Sequence, residues 1–178
     1  MSQPSSDRPA EPDHANPNGN TAPFDTDLAA MRELSDRLIA VATVGVHRWV
    51  LDVVAERISG LDATRAAAVL DAARGAADEA ATDVHARLAE LLAVPVDEQS
   101  TTPLAILRGA HRYPTAVLSE AGAIPVQRDP FEERVNPDDL FGVAPGSWAD
   151  FGEEVLDAGM AWGAAKAFLH KRARRQAP

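Results

Sequence analysis

Residues that could carry chemistry in this chain include five histidines, adjacent carboxylate pairs of the C-terminal half and one late basic run. A helical di-iron centre needs inward carboxylates and two Glu-x-x-His steps. The sequence has one such step, Glu11 to His14, inside a stretch of Pro, Ser, Asn and Asp, while His47, His85 and His111 follow Val44, Thr82 and Arg108 at that spacing. If two long helices fold back about residue 60, His85 falls beside Ser35 and Asp36, and His47 near Ala73. The two imidazoles then do not meet, and His85 reads as a helix-surface residue. Cysteine is absent, which excludes disulfide frameworks, thiolate zinc sites and a cysteine nucleophile. No metal or other cofactor is expected.

Nucleophilic and phosphate chemistry have little to build on. There is no Gly-x-Ser-x-Gly elbow, and Ser147, between Gly146 and Trp148, reads more simply as a helix cap. The Gly159 to Lys166 stretch has glycines and a lysine but not the spacing of a phosphate-binding loop, and no strand precedes it. Its Gly159-x-x-x-Gly163 step reads as tight packing. Glu132-Glu133, Asp138-Asp139 and Glu153-Glu154 are adjacent in sequence, so neither a helix nor a strand brings each pair to one point. Asn136 to Leu140 reads as a turn leading into a helical start. No catalytic residue is assigned.

The charge layout is more distinctive. Nine acids lie between Arg128 and Asp157, whereas Lys166, Lys171, Arg172, Arg174 and Arg175 follow with no acid among them. A basic run can bind nucleic acid. Against that stands the whole-chain charge of −10, which repels phosphate backbones. The run also falls at a helix C-terminus, where cations oppose the macrodipole. Nucleic acid is therefore not the expected partner.

These groups are placed by helices. Residues 1–24 have almost nothing to bury and read as a disordered tail. Order is expected from Asp25 or Thr26 onward, as one helical domain over 25–178. Leu28, Met31, Leu34, Leu38, Val41, Gly45, Trp49, Val53 and Ile58 follow helical spacing, and Ser59-Gly60 ends the run. Asp62 caps a second helix with the stripe Ala66, Leu70, Ala73, Ala77, Ala80, Val84, Leu88 and Leu91. Each helix holds roughly thirty residues, about 48 Å, which predicts a long antiparallel hairpin over 25–94.

Residues 95–146 are punctuated by prolines. Thr102-Pro103 predicts a short helix from Leu104 to Arg112, and Tyr113-Pro114 kinks it or starts another that ends near Gly122. Residues 123–146 read as an extended acidic excursion over the surface. Ser147 with Asp150 forms a capping box for a last helix, 147–175, which Gly152, Gly159 and Gly163 weaken or break. The expected class is thus mostly α: a long hairpin, shorter C-terminal helices and a proline-rich wrapping segment.

Hydrophobic residues make up 46% of the 178 residues, enough for one domain with a core, and aromatics only 5%, so close alanine packing is expected rather than a large aromatic pocket. The N-terminal stretch lacks the apolar core of a secretory signal. The longest uncharged apolar run, Leu38 to Val46, is about half a bilayer span, so no membrane span and a cytoplasmic location are expected. The arginine-rich, lysine-poor composition fits a GC-rich genome. Arg112-Tyr113-Pro114-Thr115, Pro137-Asp138-Asp139 and Trp162-Gly163-Ala164-Ala165-Lys166 give the C-terminal half a texture that resembles conserved, uncharacterised helical proteins of actinobacteria. The resemblance implies a helical fold and carries no activity.

The function expected from these features is a non-catalytic helical module that binds a protein partner or itself. Its contact surfaces are expected on the hairpin's alanine stripe and on Trp162, Lys166, Phe168, Lys171, Arg172, Arg174 and Arg175. The aromatic residues of the last helix read first as core and second as a docking surface. The alternative is a small enzyme or small-molecule sensor, with a pocket between hairpin and wrap using His111, Arg112, Tyr113 and Arg128. A nucleic-acid accessory protein using the basic tail is a second alternative.

Overall fold

A computed structural model describes residues 22–127 and 138–176 of the chain. Residues 1–21 lie outside it, and with them most of the stretch read as a tail. Five α-helices occur among the described residues, and no strand does: α1 (Ala22–Arg57), α2 (Ala63–Ala93), α3 (Pro103–Arg108), α4 (Arg112–Glu120) and α5 (Glu153–Gln176). Short 3₁₀ turns cover Gly109–His111 and Trp148–Phe151. The fold is mostly α, built on a long helical hairpin.

The alanine stripe is the seam of that hairpin. Ala77, Ala80, Val84 and Leu88 of α2 are buried with Ala42, Val46, Trp49 and Val50 of α1, and Ala73 with Val54 and Ile58. The methyl groups let the two backbones approach closely, so the stripe from Ala73 to Leu91 is buried inside the fold, while Ala66 and Leu70 are half-buried. Asp62 caps α2 as expected, its carboxylate accepting the N–H groups of Thr64 and Arg65 at 3.1 and 3.0 Å. Helix α1 is the one described helix long and apolar enough to cross a bilayer by length and composition. Here its apolar side packs on α2 and α5.

Two expectations about the hairpin need correction. Helix α1 begins at Ala22, three residues before the expected cap. The register also differs: His47 Nε2 pairs with Asp78 Oδ1 at 3.2 Å, and His85 Nδ1 lies 3.4 Å from Thr43 Oγ1 rather than beside Asp36. The cause is the turn. Ile58 donates to the Val54 carbonyl and Leu61 to that of Ile58, so the chain winds on past Arg57 before reversing, and α2 starts beyond the end of α1.

The proline-rich half carries short helices close to where they were expected, with shifted bounds. Thr102 accepts the Ala105 N–H at 3.2 Å, and Pro103 takes the first turn of α3. Pro114 has no N–H to offer the Ala110 carbonyl, and the chain tightens to 3₁₀ over Gly109–His111 before α4 begins. Helix α3 therefore stops at Arg108 instead of Arg112. Of the expected surface excursion, residues 128–137 lie outside the described part, including Arg128. The remainder is partly interior, because Phe141 and Val143 pack on Val54, Ile58 and Leu118. Asp139 is buried and accepts the N–H groups of Val143 and Ala144 at 2.7 and 2.9 Å. It therefore shapes an irregular loop where a helical start was expected.

The Ser147–Asp150 capping box is present, but it caps the 3₁₀ turn Trp148–Phe151. Gly152, at φ +113°, then redirects the chain into α5, so the expected last helix is broken there. Where this joint crosses α1, Gly45 makes room. A Cβ on Gly45 would lie 2.6 Å from Val155 Cγ2 and 2.7 Å from the Phe151 carbonyl oxygen. Gly75, by contrast, has nothing within 4 Å.

The two glycines predict opposite responses to the same added methyl. Gly75→Ala should stabilise α2 by about 0.5–1 kcal/mol through helix propensity. Gly45→Ala gains the same propensity but forces α1 away from α5, and overpacking of this kind costs about 1–3 kcal/mol. Thermal melts by circular dichroism should show a higher Tm for the first and a lower one for the second. Equal gains in both would refute a crossing set by Gly45.

Candidate functional site

Helix α5 has two unlike sides. Its inner side buries Val155, Ala158 and Trp162 and half-buries Ala165 and Leu169. Trp162 is only 4% exposed and packs with Met31, Leu38 and Ala158. Its indole Nε1 donates to Ser35 Oγ at 3.2 Å, and that hydroxyl donates onward to the Met31 carbonyl at 2.9 Å. Lys166 holds its ammonium 5.1 Å from the centre of the Trp162 ring and donates to Gln99 Oε1 at 3.0 Å. Arg172 forms an ion pair with Asp27, tying the end of α5 to the start of α1. Gly159 is covered by the ring of Trp148, whereas Gly163 has open space beside it, so their step is no helix crossing.

The outer side is open. Met160 is 63% exposed and Phe168 58%, with the exposed Gly163, Ala164 and Ala167 between them. Beside Met160 and Ala164 lies an apolar groove of about 450 Å³, walled also by Pro103, Leu104 and Trp148. Glu153, Glu154 and Asp157 stand at one end of this side and Lys171, Arg174 and Arg175 at the other, all exposed. Of the seven residues expected to form a contact surface, Trp162 is interior, and Lys166 and Arg172 are engaged within the chain. Phe168, Lys171, Arg174 and Arg175 face solvent. Sequence reasoning missed Met160 and the groove. The signal was available in the helical projection, since Met160, Ala164 and Phe168 lie opposite Val155, Trp162 and Leu169.

The pocket expected between hairpin and wrap has a counterpart between α2 and α4, a groove of about 510 Å³ lined by Glu79, Arg112, Tyr113 and Glu120 among others. Arg112 Nη2 donates to Asp83 Oδ2 at 2.9 Å and to the Tyr113 hydroxyl at 3.1 Å. The hydrogen bond that Arg112 donates to Tyr113, aided by the electrostatic effects of Tyr113 and Asp83, pushes the guanidinium pKa above its ordinary value, against the opposing effect of burial. This exposed cation is already engaged by Asp83 and Tyr113 of its own chain. His111 sits on the 3₁₀ turn with Nδ1 2.9 Å from the Arg108 carbonyl, and does not join Arg112 and Tyr113 in lining the groove. Among the described residues, no group of three or more His, Asp or Glu side chains is placed to hold a metal ion.

The Trp162–Ser35 bond makes a checkable distinction between interior and surface. Trp162→Ala removes a buried aromatic side chain and should cost about 3–5 kcal/mol of stability. Ser35→Ala leaves the indole N–H unpaired and should cost about 1–3 kcal/mol. Phe168→Ala, on the open side, should stay within about 0.5 kcal/mol. Urea unfolding of the three variants checks the order; a Phe168 cost matching that of Trp162 would contradict it. No protein-family model, curated protein or solved structure matches the chain.

Proposed function

We propose that the chain is a non-catalytic helical module that associates with a protein partner or with itself, using the outer side of α5 and the adjoining groove. The observation that carries this is the exposure of Met160 and Phe168 beside an apolar groove, on a helix whose Val155, Ala158 and Trp162 are packed inside. Covering a side chain of this size is worth about 1.5–3 kcal/mol. Polar groups at both ends of the patch supply a rim, the usual anatomy of an interface. We place its action in the cytoplasm, because the helix apolar enough for a bilayer uses that side on α2 and α5.

The enzyme or sensor reading draws less support. Its groove holds a guanidinium engaged by Asp83 and Tyr113, and His111 is directed elsewhere. The nucleic-acid reading draws less again: Arg172 is paired with Asp27, and the chain as a whole is strongly acidic.

Native mass spectrometry of the protein purified gently from its own host tests the proposal. The expected result is a mass above the 18.9 kDa monomer by whole protein subunits, lost in Met160→Asp and Phe168→Asp with helicity unchanged. A monomer carrying a small extra mass would overturn it in favour of the sensor or enzyme.

A further inference from the structure

The outer side of α5 is complementary to itself when a second copy is laid against it antiparallel. Ala164 lies at the centre of the exposed stripe, and the residues of that stripe fall at equal distances on either side of it. Met160 and Phe168 are each one turn away, Asp157 and Lys171 each two turns, and Glu153 and Arg175 each three. All seven are exposed, and all lie within about 40° of one line along the helix at 100° per residue. A two-fold axis through Ala164 therefore sets Met160 beside the second copy's Phe168, Asp157 beside its Lys171 and Glu153 beside its Arg175. Every pair recurs on the other side of the axis, as an isologous contact requires.

Two independent features meet in this arrangement. Acids at the start of a helix and bases at its end are favoured by the helix's own dipole, so the charges alone do not require a partner. The dipole gives no reason for Met160 and Phe168 to face water, each one turn from the same residue. The small residues between them, Gly163, Ala164 and Ala167, allow two helix backbones to approach closely, as the alanine seam of α1 and α2 already does. A parallel copy would set acid on acid and base on base, which fixes the direction. The groove bordering Met160 and Ala164 adds apolar surface to a seam about 33 Å long.

The geometry points to a homodimer formed by antiparallel α5 helices crossing at Ala164. It rests on the interaction-module reading above and deepens it by naming a second copy of this chain as the partner. A seam of one helix per copy is at the small end of stable interfaces, so the dimer dissociates on dilution and weakens as salt screens the end pairs.

The absence of cysteine makes the test direct. In the full-length chain, Ala164→Cys places one thiol on the axis, and mild oxidation should link most of it as a dimer; Ala86→Cys, exposed on α2, serves as the control for random collision. Asp157→Lys and Lys171→Asp should each weaken the dimer at least tenfold by sedimentation velocity, since each sets like charges opposite twice. Mixing these two variants should give a one-to-one heterodimer by native mass spectrometry, because both pairs are then opposite in sign. Helicity should be unchanged throughout, all the substituted positions being exposed. Cross-linking at Ala164 no faster than at Ala86, or a mixture that stays monomeric, overturns the proposal. If either result accompanies a different protein subunit in the native spectrum, the interaction-module reading survives without the homodimer. A monomer with a bound small molecule sinks both.

Discussion

The separation between α1 and α5 is fixed at one residue without a side chain. At Gly45 the backbone of α1 comes so close to Phe151 and Val155 that a single methyl group would meet a carbonyl oxygen. Much of the C-terminal half follows from that contact. It lets Phe151 reach Trp49, ring centres 5.4 Å apart and tilted by 55°, and this pair fills space that an alanine-lined hairpin leaves open. It seats Val155 in the same core, and one helical repeat further on Trp162 comes within reach of Ser35. A wider crossing would leave the indole N–H unpaired in an apolar interior, where the loss is costly.

What the sequence displays of this fold depends on the range of the interactions involved. The Asp62 cap, the Thr102-Pro103 start and the Ser147–Asp150 box each join residues within a few positions, and each is readable from residue type and spacing. The alanine and leucine stripe of α2 likewise displays its buried side through periodicity. The hairpin register does not, because it depends on how far the chain winds past Arg57 before reversing. The helical start of α1 before Asp25 and the stop of α3 at Arg108 are boundary effects of a similar kind, settled by one or two hydrogen bonds. Phe141 and Val143, in a segment rich in proline and acids, look superficial by composition and are interior because Val54, Ile58 and Leu118 leave them a site.

The candidate site was legible in part for the same reason. Its charges and its aromatic residues stand out in composition, but which of them face outward is decided by the angle at which α5 meets α1. Trp162 and Phe168 are six residues apart and have opposite fates: one is held by Ser35 and the other stands in solvent. Lys166 and Arg172 look like members of a basic patch, yet Gln99 and Asp27, more than sixty and more than one hundred positions earlier, already engage them. Such long-range partners leave no trace in local spacing.

Stability and the proposed association draw on opposite sides of the same helix, and this separates their consequences. The inner side of α5 is a chain of dependencies running from Gly45 through Phe151 and Val155 to Trp162, so a change there alters the whole domain. The outer side contributes little to folding, since Met160, Ala164 and Phe168 make their largest area available to solvent. Selection for fold alone would favour polar residues at these three positions, because exposed apolar area adds aggregation risk without adding core. Their apolar character, centred on a residue small enough for close approach and bounded by opposite charges, is the feature on which the proposed association rests. The Arg172–Asp27 pair ties the end of α5 to the start of α1, so the proposed association would not have to order that end of the helix first.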